Sequence, residues 1–81
     1  MNFFTYILKS KINGKHYIGS TEDLEKRLIK HNSGQVKATK HYKPWGIIHQ
    51  EMFLTRNEAY KRELQIKKYK GGEAFKKLLK Q

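Results

Sequence analysis

The 81-residue sequence contains no cysteine, a single proline and few acidic side chains, seven Asp and Glu in all. Without cysteine there are no disulfides, no thiolate zinc sites and no thiol nucleophile. No apolar run approaches the roughly 18 residues of a transmembrane helix. The apolar start from Met1 to Ser10 is short, and it lacks the basic leader and small-residue cleavage site of a signal peptide. These absences predict a soluble, cytoplasmic chain with no membrane partner. The sequence also has no phosphate loop ending in Gly-Lys-Ser/Thr, no dinucleotide fingerprint and no His-Glu-x-x-His. There is no internal repeat and no low-complexity tract.

What the chain has in excess is positive charge. Eighteen Lys and Arg leave a formal +11 at pH 7, a field that attracts polyanions and speeds their encounter. A nucleic-acid partner is the reading this favours, and an anionic lipid surface is the alternative. Charge alone draws DNA and RNA equally, because both present phosphates. The length suits one domain, residues 1–81, in which site and binding surface share a face. A domain of this size buries only about 60% of the surface its unfolded chain exposes.

Phe3-Phe4-Thr5-Tyr6-Ile7-Leu8 is apolar on both alternating faces, which predicts a strand covered on both sides and therefore central. Asn13-Gly14 is a hairpin signal because both residue types tolerate positive φ. His16-Tyr17-Ile18-Gly19 is the expected return strand. Ser20 with Asp23 fits a capping box that opens a helix running to Asn32-Ser33, with Gly34 as its stop. A polar, basic loop spans 35–46 around Pro44. Ile47 to Phe53 is the third strand. Thr55 with Glu58 is a second capping box, opening a helix to Tyr69. Gly71-Gly72 breaks it before a short helix from Ala74 to Leu79. The order predicts an α+β fold, a three-stranded antiparallel sheet flanked by helices.

Several side chains stand out on this frame. At helical spacing Ala59, Tyr60, Leu64 and Ile66 define the apolar arc of the second long helix, and Glu63 falls near its middle. An isolated carboxylate there needs a partner or a metal ion. An i,i+4 pair with Lys67 is the ordinary alternative. Arg27 and His31, four apart, share the edge of the stripe marked by Leu24 and Leu28. Two cationic groups side by side suit a phosphate, which guanidinium matches as a fork. A solvated edge is the alternative. Tyr6 and Tyr17 lie on the two hairpin strands at similar distances from the turn, which makes them potential neighbours. Lys37, Lys40 and Lys43, interleaved with Tyr42 and Trp45, suit phosphate contact with base stacking, although Trp45 itself reads as core. Lys67 belongs to a basic C-terminal stretch that is either binding surface or solvated face.

Taken in order, these residues resemble the GIY-YIG nuclease family, especially its small stand-alone bacterial members. The pattern is Phe4-Thr5-Tyr6-Ile7-Leu8-x-Ser10, then Tyr17-Ile18-Gly19-Ser20-Thr21-x-Asp23-Leu24-x-x-Arg27-Leu28-x-x-His31-Asn32-x-Gly34. Thr39, Trp45, Phe53 and Ala59-x-x-x-Glu63 follow. Phe4-Thr5 replaces the Gly-Ile of the namesake triplet. No counterpart of the further active-site Asn of repair-type members is found after residue 70. The resemblance implies a three-stranded antiparallel sheet with helices and a divalent-metal-dependent endonuclease that hydrolyses phosphodiester bonds in DNA. Its substrates would be branched, damaged or single-stranded. It further implies Glu63 as the protein ligand of Mg²⁺ or Mn²⁺ and Arg27 as the phosphate clamp. Tyr17 would be the base for the attacking water, with Tyr6 orienting that water or sharing the role. His31 would hold a tyrosine hydroxyl or bind phosphate, and Gly19 would allow close backbone approach. Tyrosine is a weak base at neutral pH, so the scheme expects nearby cations to lower its pKa and cleavage to quicken at mildly alkaline pH. A non-catalytic nucleic-acid-binding module and an interaction protein needing a partner for activity are the alternatives.

Overall fold

In the computed structural model, which describes residues 2–80, three strands form one antiparallel sheet with the N-terminal strand in the middle. Met1, the first residue of the apolar N-terminal stretch, and Gln81, the last residue of the expected 1–81 domain, lie outside the described residues. The elements in chain order are β1 (Phe3–Ser10), β2 (His16–Thr21), α1 (Leu24–Asn32), β3 (Trp45–Phe53), α2 (Arg56–Lys68) and α3 (Glu73–Leu79). Among the described residues no helix is long and apolar enough to cross a membrane.

β1 is central because its sequence has something to bury on both sides. Alternation sends Thr5 and Ile7 to one face and Tyr6 and Leu8 to the other, and all four are buried. Ile7 packs with Ile66 of α2 and with Phe75 and Leu78 of α3. Tyr6 and Leu8 pack with Trp45, Tyr17, Ile47 and, from α1, Leu24 and Leu28. The sheet thus separates two small cores, α1 on one side and α2 with α3 on the other.

β3 presents side chains to both faces of the sheet through a bulge. Ile7 faces His49 but Leu8 faces Ile47, so Ile48 is an extra residue in the ladder. The insertion reverses the alternation. Trp45 and Ile47 therefore join the α1 side, whereas Glu51 reaches the α2 side, where Arg62 donates to it through Nε and Nη2 at 2.8 and 3.1 Å.

The hairpin and helix ends show where local signals hold. Gly14 takes φ +75°, but Asn13 does not take positive φ. The connection is a five-residue loop folded on the Ser10 hydroxyl, which accepts from the N–H groups of Ile12 and Asn13. α1 is capped by Asp23, whose side chain accepts from the Lys26 N–H at 3.0 Å. Ser20, expected to open this helix, instead stays in β2 opposite Thr5. Its hydroxyl is drawn to the α2 side, and the strand continues to Thr21. Gly34, at φ +83°, ends the turn after α1 as expected. β3 starts at Trp45 rather than Ile47, because Asn32 holds the Trp45 main chain on both sides. Its Oδ1 accepts from Trp45 N–H at 2.6 Å and its Nδ2 donates to Trp45 O at 3.1 Å. Thr55 caps α2, accepting from the Glu58 N–H.

The buried stripe of α2 differs from the expected arc. Ala59, Glu63 and Ile66 face the sheet, while Tyr60 and Leu64 are 50% and 39% exposed. The small side chain of Ala59 lets the helix sit close to β1, where Thr5 Oγ1 donates to Ala59 O at 2.6 Å. That contact fixes the rotation of α2 and turns the next residue in each step toward solvent.

Candidate active site

Tyr6 is the hub of the α1 side. It pairs with Gly19 across the β1–β2 ladder. A Cβ on Gly19 would lie 2.5 Å from Tyr6 Oη and 2.7 Å from Cζ, so the ring occupies the room that glycine leaves. Gly19 is buried, and the close approach it permits is that of Tyr6. Tyr17 shares the face, its ring centroid 6.4 Å from that of Tyr6 and 4.8 Å from that of His31.

Arg27 and His31 converge on one atom. Arg27 Nε donates to Tyr6 Oη at 3.3 Å, and His31 Nε2 lies 3.0 Å from the same oxygen. His31 is fully buried. Its Nδ1 is 2.8 Å from Thr39 Oγ1, and the Thr39 hydroxyl is itself 3.4 Å from Val36 O. These contacts assign the protons. The hydroxyl of Thr39 donates to the carbonyl and accepts from Nδ1–H, so Nε2 is bare and accepts the proton of the Tyr6 hydroxyl. A directed chain results, from Arg27 through Tyr6, His31 and Thr39 to the main chain of the loop.

The electrostatics agree with that assignment. Burial, helped by the nearby Arg27 charge, pushes the His31 pKa down to about 4, so the ring is neutral at pH 7. Burial also raises the pKa of Tyr6 and outweighs the lowering effect of Arg27. The sequence-based expectation that nearby cations lower a tyrosine pKa therefore fails at Tyr6, since the hydroxyl lies too deep. The hydrogen bond to Tyr6, against some desolvation, holds Arg27 firmly charged.

Glu63 approaches from the α2 side. It is 9% exposed, and both carboxylate oxygens are engaged. Ser20 Oγ donates to Oε1 at 2.7 Å and Lys67 Nζ donates to Oε2 at 2.6 Å. The i,i+4 pair is thus formed. β2 is the wall between the two groups: Tyr17 and Gly19 face α1, while Ser20 faces α2. The Glu63 charge contributes, as the smallest of several causes, to the raised pKa of Tyr6 across that wall. Among the described residues no three His, Cys, Asp or Glu side chains gather as a metal cluster. Lys37, Lys40 and Lys43 are exposed on the loop that follows α1 and make no hydrogen bond to the Tyr6 cluster. Ser20 and Thr39 complete the arrangement, and the sequence marked neither as a partner of Glu63 or His31.

Comparison with known proteins identifies the family. The family profile described as "GIY-YIG catalytic domain" matches residues 2–76. The chain belongs to the GIY-YIG family. A UPF0213 protein of Staphylococcus saprophyticus is 49% identical over 67 residues, covering 82% of this chain and 80% of that relative. A UPF0213 protein of Staphylococcus epidermidis is 43% identical over the same length. The solution NMR structure of a UPF0213 protein from Bacillus halodurans aligns with a TM-score of 0.50 and 35% identity, covering 83% of this chain and 71% of that one. The three-stranded antiparallel sheet with three helices is the GIY-YIG arrangement, and the chain carries a nuclease-type domain whose substrates are in general nucleic acids.

Proposed function

We propose that this GIY-YIG chain is a divalent-metal-dependent endonuclease that hydrolyses phosphodiester bonds in DNA, with its centre at the β2 wall. The observation that supports this most is the convergence of Arg27 and His31 on Tyr6 Oη beside a single, nearly buried carboxylate. Phosphodiester hydrolysis needs an activated water and neutralisation of charge on phosphate and leaving oxygen. Arg27 spends one of its five N–H donors on Tyr6, and those remaining suit two phosphate oxygens. Tyr6, protonated and hydrogen-bonded to neutral His31, positions Arg27. Its proton is already committed, so removal of the water's proton falls to Tyr17.

The donor set at Glu63 fits Mg²⁺ or Mn²⁺. One carboxylate with a hydroxyl beside it is what a hard ion takes when water and substrate phosphate complete its shell. Glu63 would hold the ion with Ser20 steadying the carboxylate, and the bound ion would supply Lewis-acid stabilisation of the leaving oxygen. Lys67, Lys37, Lys40 and Lys43 would contact the flanking backbone. RNA offers the same phosphates, and a damaged, branched or single-stranded DNA would lie most easily against so small a surface.

The Glu63–Lys67 pair also suits a second reading, a nucleic-acid-binding module in which Glu63 is only structural. End-labelled duplex, single-stranded and branched DNA, incubated with Mg²⁺ or Mn²⁺ at low salt, decides between them. Cutting by wild type that is lost in Glu63→Gln, with binding retained, is expected. Tight binding without cutting on every substrate establishes the module.

A further inference from the structure

Both oxygens of the candidate metal ligand are already occupied by groups of this chain, and the two occupants differ in kind. Ser20 is neutral, sits on a strand and holds Oε1 at 2.7 Å. A hydroxyl beside a carboxylate is compatible with a cation on the same carboxylate. Lys67 is a full positive charge 2.6 Å from Oε2, on a side chain 49% exposed. An ammonium and a divalent cation crowded on that oxygen repel each other by more than the ammonium gains from the carboxylate, so the ammonium is the one to yield. The exposed four-carbon stem gives the ammonium somewhere to go. A displaced ammonium thus stays at the exposed surface beside Glu63, within reach of a bound strand.

Resting on the endonuclease reading above, we infer that Lys67 is a cation placeholder. It neutralises Glu63 in the metal-free protein, yields the carboxylate when the divalent ion binds, and then contacts a phosphate of the nucleic acid. The exchange keeps a positive partner on the carboxylate in both states. A nearly buried carboxylate is never left bare, which matters because an unpaired buried charge is strongly destabilising. It also couples the two ligands. Metal frees a lysine for the strand, and the strand holds that lysine away from the metal's place, so each binds more tightly in the presence of the other.

The experiment is Mn²⁺ binding to the free protein by titration calorimetry, with wild type, Glu63→Gln, Lys67→Met and Lys68→Met. Lys68, exposed and making no hydrogen bond to Glu63, removes the same charge one residue away. Lys67→Met is expected to bind Mn²⁺ about fivefold more tightly than wild type and Lys68→Met less than about twofold. Equal gains in the two lysine variants would mean that net charge alone acts, and would overturn the exchange. Equal Mn²⁺ binding by wild type and Glu63→Gln would remove the metal site itself, and the endonuclease reading with it. Weaker binding by Glu63→Gln without the Lys67-specific gain would sink the exchange alone.

The second half is read by fluorescence anisotropy on a labelled oligonucleotide, in a Tyr17→Phe background with the strand checked intact on a gel. Lys67→Met should lose at least about threefold more affinity in Mn²⁺ than in EDTA. Equal losses in both would show that the lysine reaches the strand without metal, against the inference. Should Lys67→Met fold poorly, the wild-type protein serves. Mg²⁺ addition should shift the Lys67 side-chain ammonium resonance, and an unmoved signal at saturating Mg²⁺ refutes displacement.

Discussion

Gly19→Ala is a one-carbon change whose effect can be worked from distances. The added Cβ would stand 2.5 Å from Tyr6 Oη, 2.7 Å from Tyr6 Cζ and 3.2 Å from Tyr17 Cε1. Gly19 is not among the positive-φ residues, so alanine brings no backbone strain and the whole cost is steric. Tyr6 cannot step aside cheaply, since its hydroxyl is held by both His31 and Arg27. Overpacking of a full core costs about 1–3 kcal/mol. A buried imidazole nitrogen left without its partner adds about 1–3 kcal/mol. The sum, about 2–6 kcal/mol, is a large part of the roughly 4–12 kcal/mol expected for a domain of this length. In a thermal melt it corresponds to a Tm lower by about 10–35 °C. Gly46→Ala is the control, because a Cβ there meets only Lys11 Cε at an ordinary 3.5 Å, and its Tm should move by no more than about 4 °C. Tyr6→Phe removes the nearest atom, so adding Gly19→Ala to Tyr6→Phe should cost less than adding it to wild type, by about 0.5 kcal/mol or more. If Gly19→Ala melts as Gly46→Ala does, the ring of Tyr6 is not wedged over β2, and the hydrogen-bonded chain built on its position loses its foundation.

Two further predictions follow from the same network and its margin. His31 titrates near 6.5 when unfolded and about 4 when folded, so the unfolded chain binds the extra proton between those values. The stability His31 contributes is complete above pH 6.5 and is lost as pH falls toward 4, by up to about 3 kcal/mol. Urea unfolding across that range should show the loss in wild type and a flatter profile in His31→Gln, and parallel profiles would contradict a buried neutral imidazole. Asn32→Ala removes both hydrogen bonds to the Trp45 main chain. It should cost about 2–3 kcal/mol and red-shift the Trp45 emission; unchanged emission and stability would show that the clasp does not close the loop.

Much of this arrangement was legible in the sequence, and particular residues show why. The doubly apolar run of β1 could only be a covered strand, so the central position and the two-sided core followed from period two alone. Tyr6 and Tyr17 meet because the hairpin register brings them together, and Arg27 and His31 share a face because helical spacing does so. Glu63 stood out as a charge on a buried stripe, and it is buried. Ser20 was misread because its local signal is ambiguous. A serine three residues before an acid fits a helix cap, and only the arrival of α2, 43 residues later, draws its hydroxyl elsewhere. Hydrophobicity puts Tyr60 and Leu64 on the buried arc of α2, but it does not reveal that Ala59 is the point of closest approach, and both turn to solvent. Thr39 was visible only as a matching letter. Its bond to His31 depends on how a polar loop folds back, for which sequence periodicity carries no information.

The bulge at Ile48 has a consequence for how copies of this molecule meet one another. A strand at the border of a sheet offers an open row of N–H and C=O groups, a ready template for another strand. β3 is such a border, and on its face Ile48 and Met52 are 43% and 59% exposed. A regular strand with those side chains would be sticky along its length. An irregular one cannot continue in register with a neighbour, because the spacing of its donors and acceptors breaks in the middle. The opposite border, β2, has only six residues. A small, highly basic protein thus carries two borders that are poor at recruiting further strands.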